Sequence, residues 1–145
     1  MSFKSILVGN VFLVRWETIQ PGDGPRLVQA VQQAQNLLKS KLIYIAVAPN
    51  AKPPDDAVRP EIGRALDSLH EYCSSLHLVI EQRGFMGAAH RTVAAGISMV
   101  TAKRGKKMGV YATLEDALAD CPNVTVTREL VVNTARVRGI TVDLD

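Results

Sequence analysis

Two cysteines in 145 residues are too few for a disulfide scaffold, and Cys73 and Cys121 lack CxxC spacing. Aromatic residues make up only 5% of the chain, so its core is expected to be aliphatic. No run approaches eighteen uninterrupted apolar residues, so no membrane-spanning helix and no integral membrane association are expected. The start of the chain carries a single Lys4 and no long apolar stretch, which argues against a signal peptide. A cytoplasmic location is the default expectation. Internal repeats and low-complexity tracts are absent. Charge of one sign is also scarce: the formal net charge is +3 and the pI is near 9.0. The one dense basic run, Lys103, Arg104, Lys106 and Lys107, follows a predicted helix, where cations favour the helix dipole in a solvated turn. Nucleic-acid binding needs more basic residues gathered on one surface, and none is expected.

Signatures of chemistry are equally thin. There is no GxSxG elbow, and Gly84-Phe85-Met86-Gly87 fits neither GxGxxG nor GxxxxGK[ST]. His70, His77 and His90 form no HxxxH and no metal-ligand spacing with cysteine. No metal, no cofactor and no enzymatic activity are therefore expected.

What is present is an ordered alternation of elements. Residues 3–8 (FKSILV) and 11–16 (VFLVRW) are apolar, branched-rich runs joined by Gly9-Asn10, which reads as an opening β-hairpin. Trp16 falls on the second strand as core or sheet-edge cover. A Pro/Gly loop follows, and Leu27, Val31, Ala34 and Leu38 then recur at helical spacing. Residues 42–48 (LIYIAVA) fit a strand covered on both faces. The Pro- and Asp-rich segment 49–60 reads as a shaped loop before a second helix bearing Ile62, Leu66, Leu69 and Cys73 on one stripe, which makes Cys73 a buried free thiol. A strand over 76–81, a helix over 85–101 and a strand over 108–112 come next. Thr113 with Asp116 resembles a capping box at the start of a short acidic helix that Pro122 stops. After residue 123, VTVTREL and ARVRGITVDL alternate apolar and polar residues, which predicts one or two half-buried strands. These would extend the sheet, pair with each other or pair across a homodimer. The expected architecture is a layered α/β domain over 1–122, its sheet mostly parallel after the hairpin, with a C-terminal β extension over 123–145.

This order of elements, closing on MGVYATLEDALAD, resembles the STAS domain family, the fold of SpoIIAA-like anti-sigma-factor antagonists and of lipid-binding-like relatives. The resemblance covers roughly residues 3–121 and implies a regulatory role through protein binding. In the antagonists a Ser or Thr at the start of the second helix is phosphorylated. The matching stretch here, residues 50–61, has neither, and Asp55 or Asp56 stands in that neighbourhood. A fixed charge cannot be switched by a kinase, so partner binding survives as the inference and phosphoswitching does not.

The candidate protein-binding residues are accordingly Asn50, Lys52, Asp55, Asp56 and Arg59. Asp55 and Asp56 also read as stabilisers of the following helix start, one of them as its cap. Arg83 and Arg91, around the start of the predicted helix at residue 85, are the candidate anion-binding pair, unless they are solvated or paired with Glu81. The expected role is that of a non-enzymatic regulatory or scaffolding protein. A small-ligand module for a lipid or an anion is the alternative, and an uncharacterised enzyme a more distant one.

Overall fold

Gly9 is where the chain first turns back on itself. Its φ of 57° is the left-handed value that the first central residue of a two-residue hairpin turn needs, and Asn10 does not share it, the type II′ pattern. Strands β1 (Phe3–Val8) and β2 (Val11–Trp16) pair antiparallel on either side, from Val8 opposite Val11 to Phe3 opposite Trp16. The computed structural model describes residues 3–49, 55–82 and 108–142. The predicted helix over 85–101 and the basic run 103–107 lie outside the described residues.

Strand β3 (Leu42–Ala48) lies parallel to β2, β4 (Cys73–Ile80) parallel to β3, and β5 (Met108–Tyr111) parallel to β4, in the spatial order β1-β2-β3-β4-β5. Helix α1 (Asp23–Leu38) links β2 to β3 and helix α2 (Arg59–Leu69) links β3 to β4. After β5 come α3 (Leu114–Ala119) and α4 (Arg128–Val137). The result is a mixed, mostly parallel five-stranded sheet flanked by four helices among the described residues.

Period-two alternation divides the sheet's side chains between two cores. Phe12, Val14 and Trp16 with Leu42, Tyr44 and Ala46 face α1 and α2, meeting Leu27, Val31 and Leu69. Val11 and Leu13 with Ile43, Ile45, Val47 and Val79 face α3 and α4, meeting Leu114, Leu118, Val131 and Ala135. Four aromatics pair in register on the first face: Phe3 meets Trp16 in a tilted contact at 4.8 Å, and Phe12 stacks on Tyr44 at 6.3 Å between ring centroids. The residues of β3 from Leu42 to Val47 are buried on both faces, as its unbroken apolar run requires.

Two expectations are corrected here. Cys73 opens β4 instead of closing the α2 stripe, although it is buried and free as expected. The C-terminal segment is helical where strands were expected. Thr127 caps α4 by accepting from the Leu130 N–H at 3.2 Å, and Val131, Val132 and Ala135 form its buried face. Gly139, at φ 73°, ends the helix in a Schellman motif: its N–H reaches the Arg136 carbonyl and the Ile140 N–H reaches Ala135 at 2.8 Å. Strand pairing across a dimer through this helical stretch therefore has no basis. The expected cap of α3 is present, with Thr113 accepting from the Asp116 N–H at 3.1 Å.

Asn10 fastens the hairpin turn to the segment before α4. Its side-chain amide donates to the Asn123 carbonyl at 2.8 Å and accepts from the Thr125 N–H at 3.0 Å. At the other end of β2, Arg15 and residues 140–142 tie the chain again, and that tie belongs to the site.

Candidate functional site

All four parallel strands end at one edge of the sheet. In α/β folds that carboxyl edge is where loops gather and recognition takes place. Asp55, Asp56 and Arg59 lie in the connection that leaves this edge after β3, at the entry to α2. Asn50, Lys52, Arg83 and Arg91, along with His90, lie outside the described residues.

Neither aspartate caps α2 with its side chain. The N-cap is Val58, which has no side-chain oxygen to offer, and Pro60 in the first turn removes one of the N–H groups that would need a partner. Asp55 contributes its backbone carbonyl, which accepts from the N–H groups of Val58 and Arg59 at 2.9 and 3.2 Å. Asp56 pairs with Arg59 at 3.0 Å, with side chains 92% and 57% exposed respectively. A pair so solvated adds at most a fraction of a kilocalorie, about 0–1 kcal/mol, to stability.

Next to this turn the start of α1 is closed by the protein's own acids. Glu61 on α2 accepts the Gly22 N–H with both carboxylate oxygens, at 2.9 and 3.2 Å. Asp23, fully buried, accepts from the Gln20 N–H at 2.8 Å and pairs with Arg26 at 3.3 Å. This helix N-terminus already has its anion.

On the opposite face of the sheet, at the same edge, lies an ion pair with side chains only 10% and 6% exposed. Arg15 donates to Glu81 at 2.6 Å, to Glu17 at 2.7 Å and to the Ile140 carbonyl at 3.0 Å. The other oxygen of Glu81 accepts from the Thr141 hydroxyl at 2.7 Å and the Val142 N–H at 3.1 Å. Burial on its own lowers the guanidinium's pKa, but the bonds to Glu81 and Glu17 outweigh it and raise the value. Glu81 is thus taken by Arg15, a partner that β2 supplies and that spacing along the chain does not reveal.

A second polar cluster sits deeper on that face. His77 on β4 is 6% exposed, with Nε2 2.9 Å from the Ser75 hydroxyl and 3.4 Å from Cys121 Sγ, and Nδ1 3.4 Å from the Tyr111 hydroxyl. Gly109, opposite His77 in the register, leaves room for the Tyr111 ring to fold back. A thiol beside an imidazole invites comparison with a nucleophile and its base, and the electrostatics oppose that chemistry. Burial and the nearby Asp120 carboxylate push the Cys121 thiol up to about 11, and its hydrogen points to the Ala117 carbonyl at 3.2 Å. Burial also lowers His77, while Asp120 offsets part of that effect. Both partners are held neutral at physiological pH.

The lowered His77 pKa has a consequence for stability. Below the ordinary imidazole range the unfolded chain binds a proton that the folded one refuses, so stability is full above about pH 6.5 and declines as pH falls through it. The slope is bounded at about 1.4 kcal/mol per pH unit for a single proton. We expect His77→Gln to flatten this limb between pH 7 and pH 5 in urea titrations. An unchanged limb would assign the slope to other groups.

Among the described residues, no group of three or more His, Cys, Asp or Glu is placed to hold a metal ion, and no helix is long and apolar enough to cross a membrane. No protein-family model, no curated protein and no solved structure matches this chain. The sequence signals for the two polar clusters were weak. Arg15 and Glu81 break the apolar ends of strands, and His77 interrupts one, but nothing in their spacing pairs them.

Proposed function

We propose that this α/β domain is a non-enzymatic regulatory or scaffolding module that binds another protein at the carboxyl edge of its sheet. Its contact residues are Asp55, Asp56 and Arg59, preceded in the chain by Asn50 and Lys52. The observation that carries this reading is the exposed Asp56–Arg59 pair on the turn entering α2: an acid and a base presented outward at a strand-to-helix junction. Charges so placed steer and register a protein partner more than they stabilise the fold. The neutral thiol and imidazole beneath the sheet also favour binding over catalysis. The finer reading is a STAS-like regulator working in the cytoplasm, in which the partner surface at the start of the second helix carries fixed aspartates instead of a phosphorylatable hydroxyl. Its binding would be constitutive, set by concentration instead of by a kinase.

The test compares the wild-type chain with Asp55→Ala/Asp56→Ala/Arg59→Ala as bait in lysate of the source organism, by quantitative mass spectrometry. One near-stoichiometric partner retained by the wild type and lost by the variant, at equal thermal stability of the two baits, is the expected result. Identical recoveries from both would reject this surface.

A further inference from the structure

The buried face of α4 is fully used: Val131, Val132 and Ala135 pack on the sheet. Its opposite face is not polar throughout. Residues 130, 133 and 137 recur at i, i+3 and i+7 and so form one stripe. It contains Leu130, 48% exposed, Asn133 and Val137, 84% exposed. Glu129 and Arg136 flank this stripe on one side, again seven residues apart. Arg136 also bridges to Glu115 of α3 at 3.5 Å, which holds it on that flank.

We propose that this face of α4 is a self-association surface, occupied by α4 of a second copy of the chain across a two-fold axis. The choice of occupant follows from charge and symmetry. An antiparallel two-fold axis passing near Asn133 leaves each flank facing the same flank of the other helix. Glu129 then meets the partner's Arg136, and Arg136 meets the partner's Glu129, so one complementary contact is made twice. With parallel helices each flank would instead face the partner's other flank, where Thr127 and Thr134 offer Glu129 and Arg136 no charge to pair with. Leu130 and Val137 cover each other across the axis. Asn133 near its centre faces the partner's Asn133, where two amides can donate to and accept from one another and fix the register. A pair of ten-residue helices buries less than a standard interface, so the dimer forms at about 100 µM and not at nanomolar concentration. This inference is independent of the Asp55–Arg59 surface.

Because the contact is weak, the experiment traps it. Asn133→Cys places a thiol beside the axis, while the native Cys73 and Cys121 are both buried and do not compete. Under mild oxidation at about 100 µM, this variant should run as a disulfide-linked dimer on non-reducing gels. Adding Val137→Asp should lower the linked fraction by about tenfold or more, because it sets a charge against the partner's apolar stripe. Adding Glu129→Arg should lower it likewise, and the swap Glu129→Arg/Arg136→Glu should restore it. Overturning outcomes are an Asn133→Cys chain that stays monomeric, linkage indifferent to Val137→Asp, or a charge swap that fails to restore it. The Asp55/Asp56/Arg59 variant should cross-link like the wild-type background, which keeps failure here distinct from failure of the edge reading.

Discussion

Glu81→Ala should destabilise the native state by about 3–5 kcal/mol, seen as a lower urea midpoint at unchanged slope. The size follows from what is left behind. Arg15 would keep its charge at a position where its side chain is 10% exposed, with only Glu17 and the Ile140 carbonyl to answer it. The Thr141 hydroxyl and Val142 N–H would lose their acceptor at the same time. Removing both charges is a different experiment. Arg15→Met/Glu81→Leu replaces the pair with apolar chains of similar length. The part of the loss due to the uncompensated Arg15 charge should return, while the Thr141 and Val142 donors stay without an acceptor. A single-variant loss below about 1 kcal/mol would mean that water reaches and screens the pair.

The second large effect belongs to the hairpin turn. Gly9→Ala should cost about 2–4 kcal/mol, the sum of a left-handed backbone penalty and an overpacking term. A β-carbon at Gly9 would stand 2.8 Å from the Thr125 hydroxyl and 2.9 Å from a Val126 methyl. Thr125 cannot swing aside cheaply, since its hydroxyl accepts the Asn10 N–H. Gly139→Ala supplies the control. Its φ of 73° is positive too, but the nearest obstacle is the end of the Lys4 side chain, which can move. The shift at Gly9 should exceed that at Gly139, and equal shifts would show that residues 125–126 yield freely.

Apolar periodicity was a good guide wherever local pattern and tertiary burial agree. The hairpin, the doubly covered β3, the Leu27–Val31 stripe of α1, the α2 stripe up to Leu69 and the Thr113 cap were legible from the chain, and so was the mostly parallel order they imply. Leu38, expected on the buried stripe of α1, is instead 38% exposed. The pattern misled at residues 124–137. There the alternation of Val124-Thr125-Val126-Thr127 continues a strand by eye, yet Thr127 is a cap and the helical triplet of Val131, Val132 and Ala135 takes over immediately. Gly139 after Arg136 and Arg138 was the readable stop signal. The candidate site was legible only in part. An exposed turn before α2 follows from its prolines and aspartates, but the Arg15–Glu81 and His77–Cys121 contacts join residues 66 and 44 positions apart, which no local pattern encodes.

Asn10 and Arg15 have a consequence for how the chain is made. During synthesis the hairpin precedes the segments that fasten it: Asn10 finds its partners 113 and 115 residues later and Arg15 its carbonyl 125 residues later. The aliphatic face of β2 and β3 is covered, among the described residues, by side chains from Leu114 to Ile140, which are synthesised long after it. The nascent polypeptide therefore lacks these covering side chains until the segment up to Ile140 has been made. The long-range contacts that complete this domain thus form late relative to its hairpin, and the partly made domain is the aggregation-prone species.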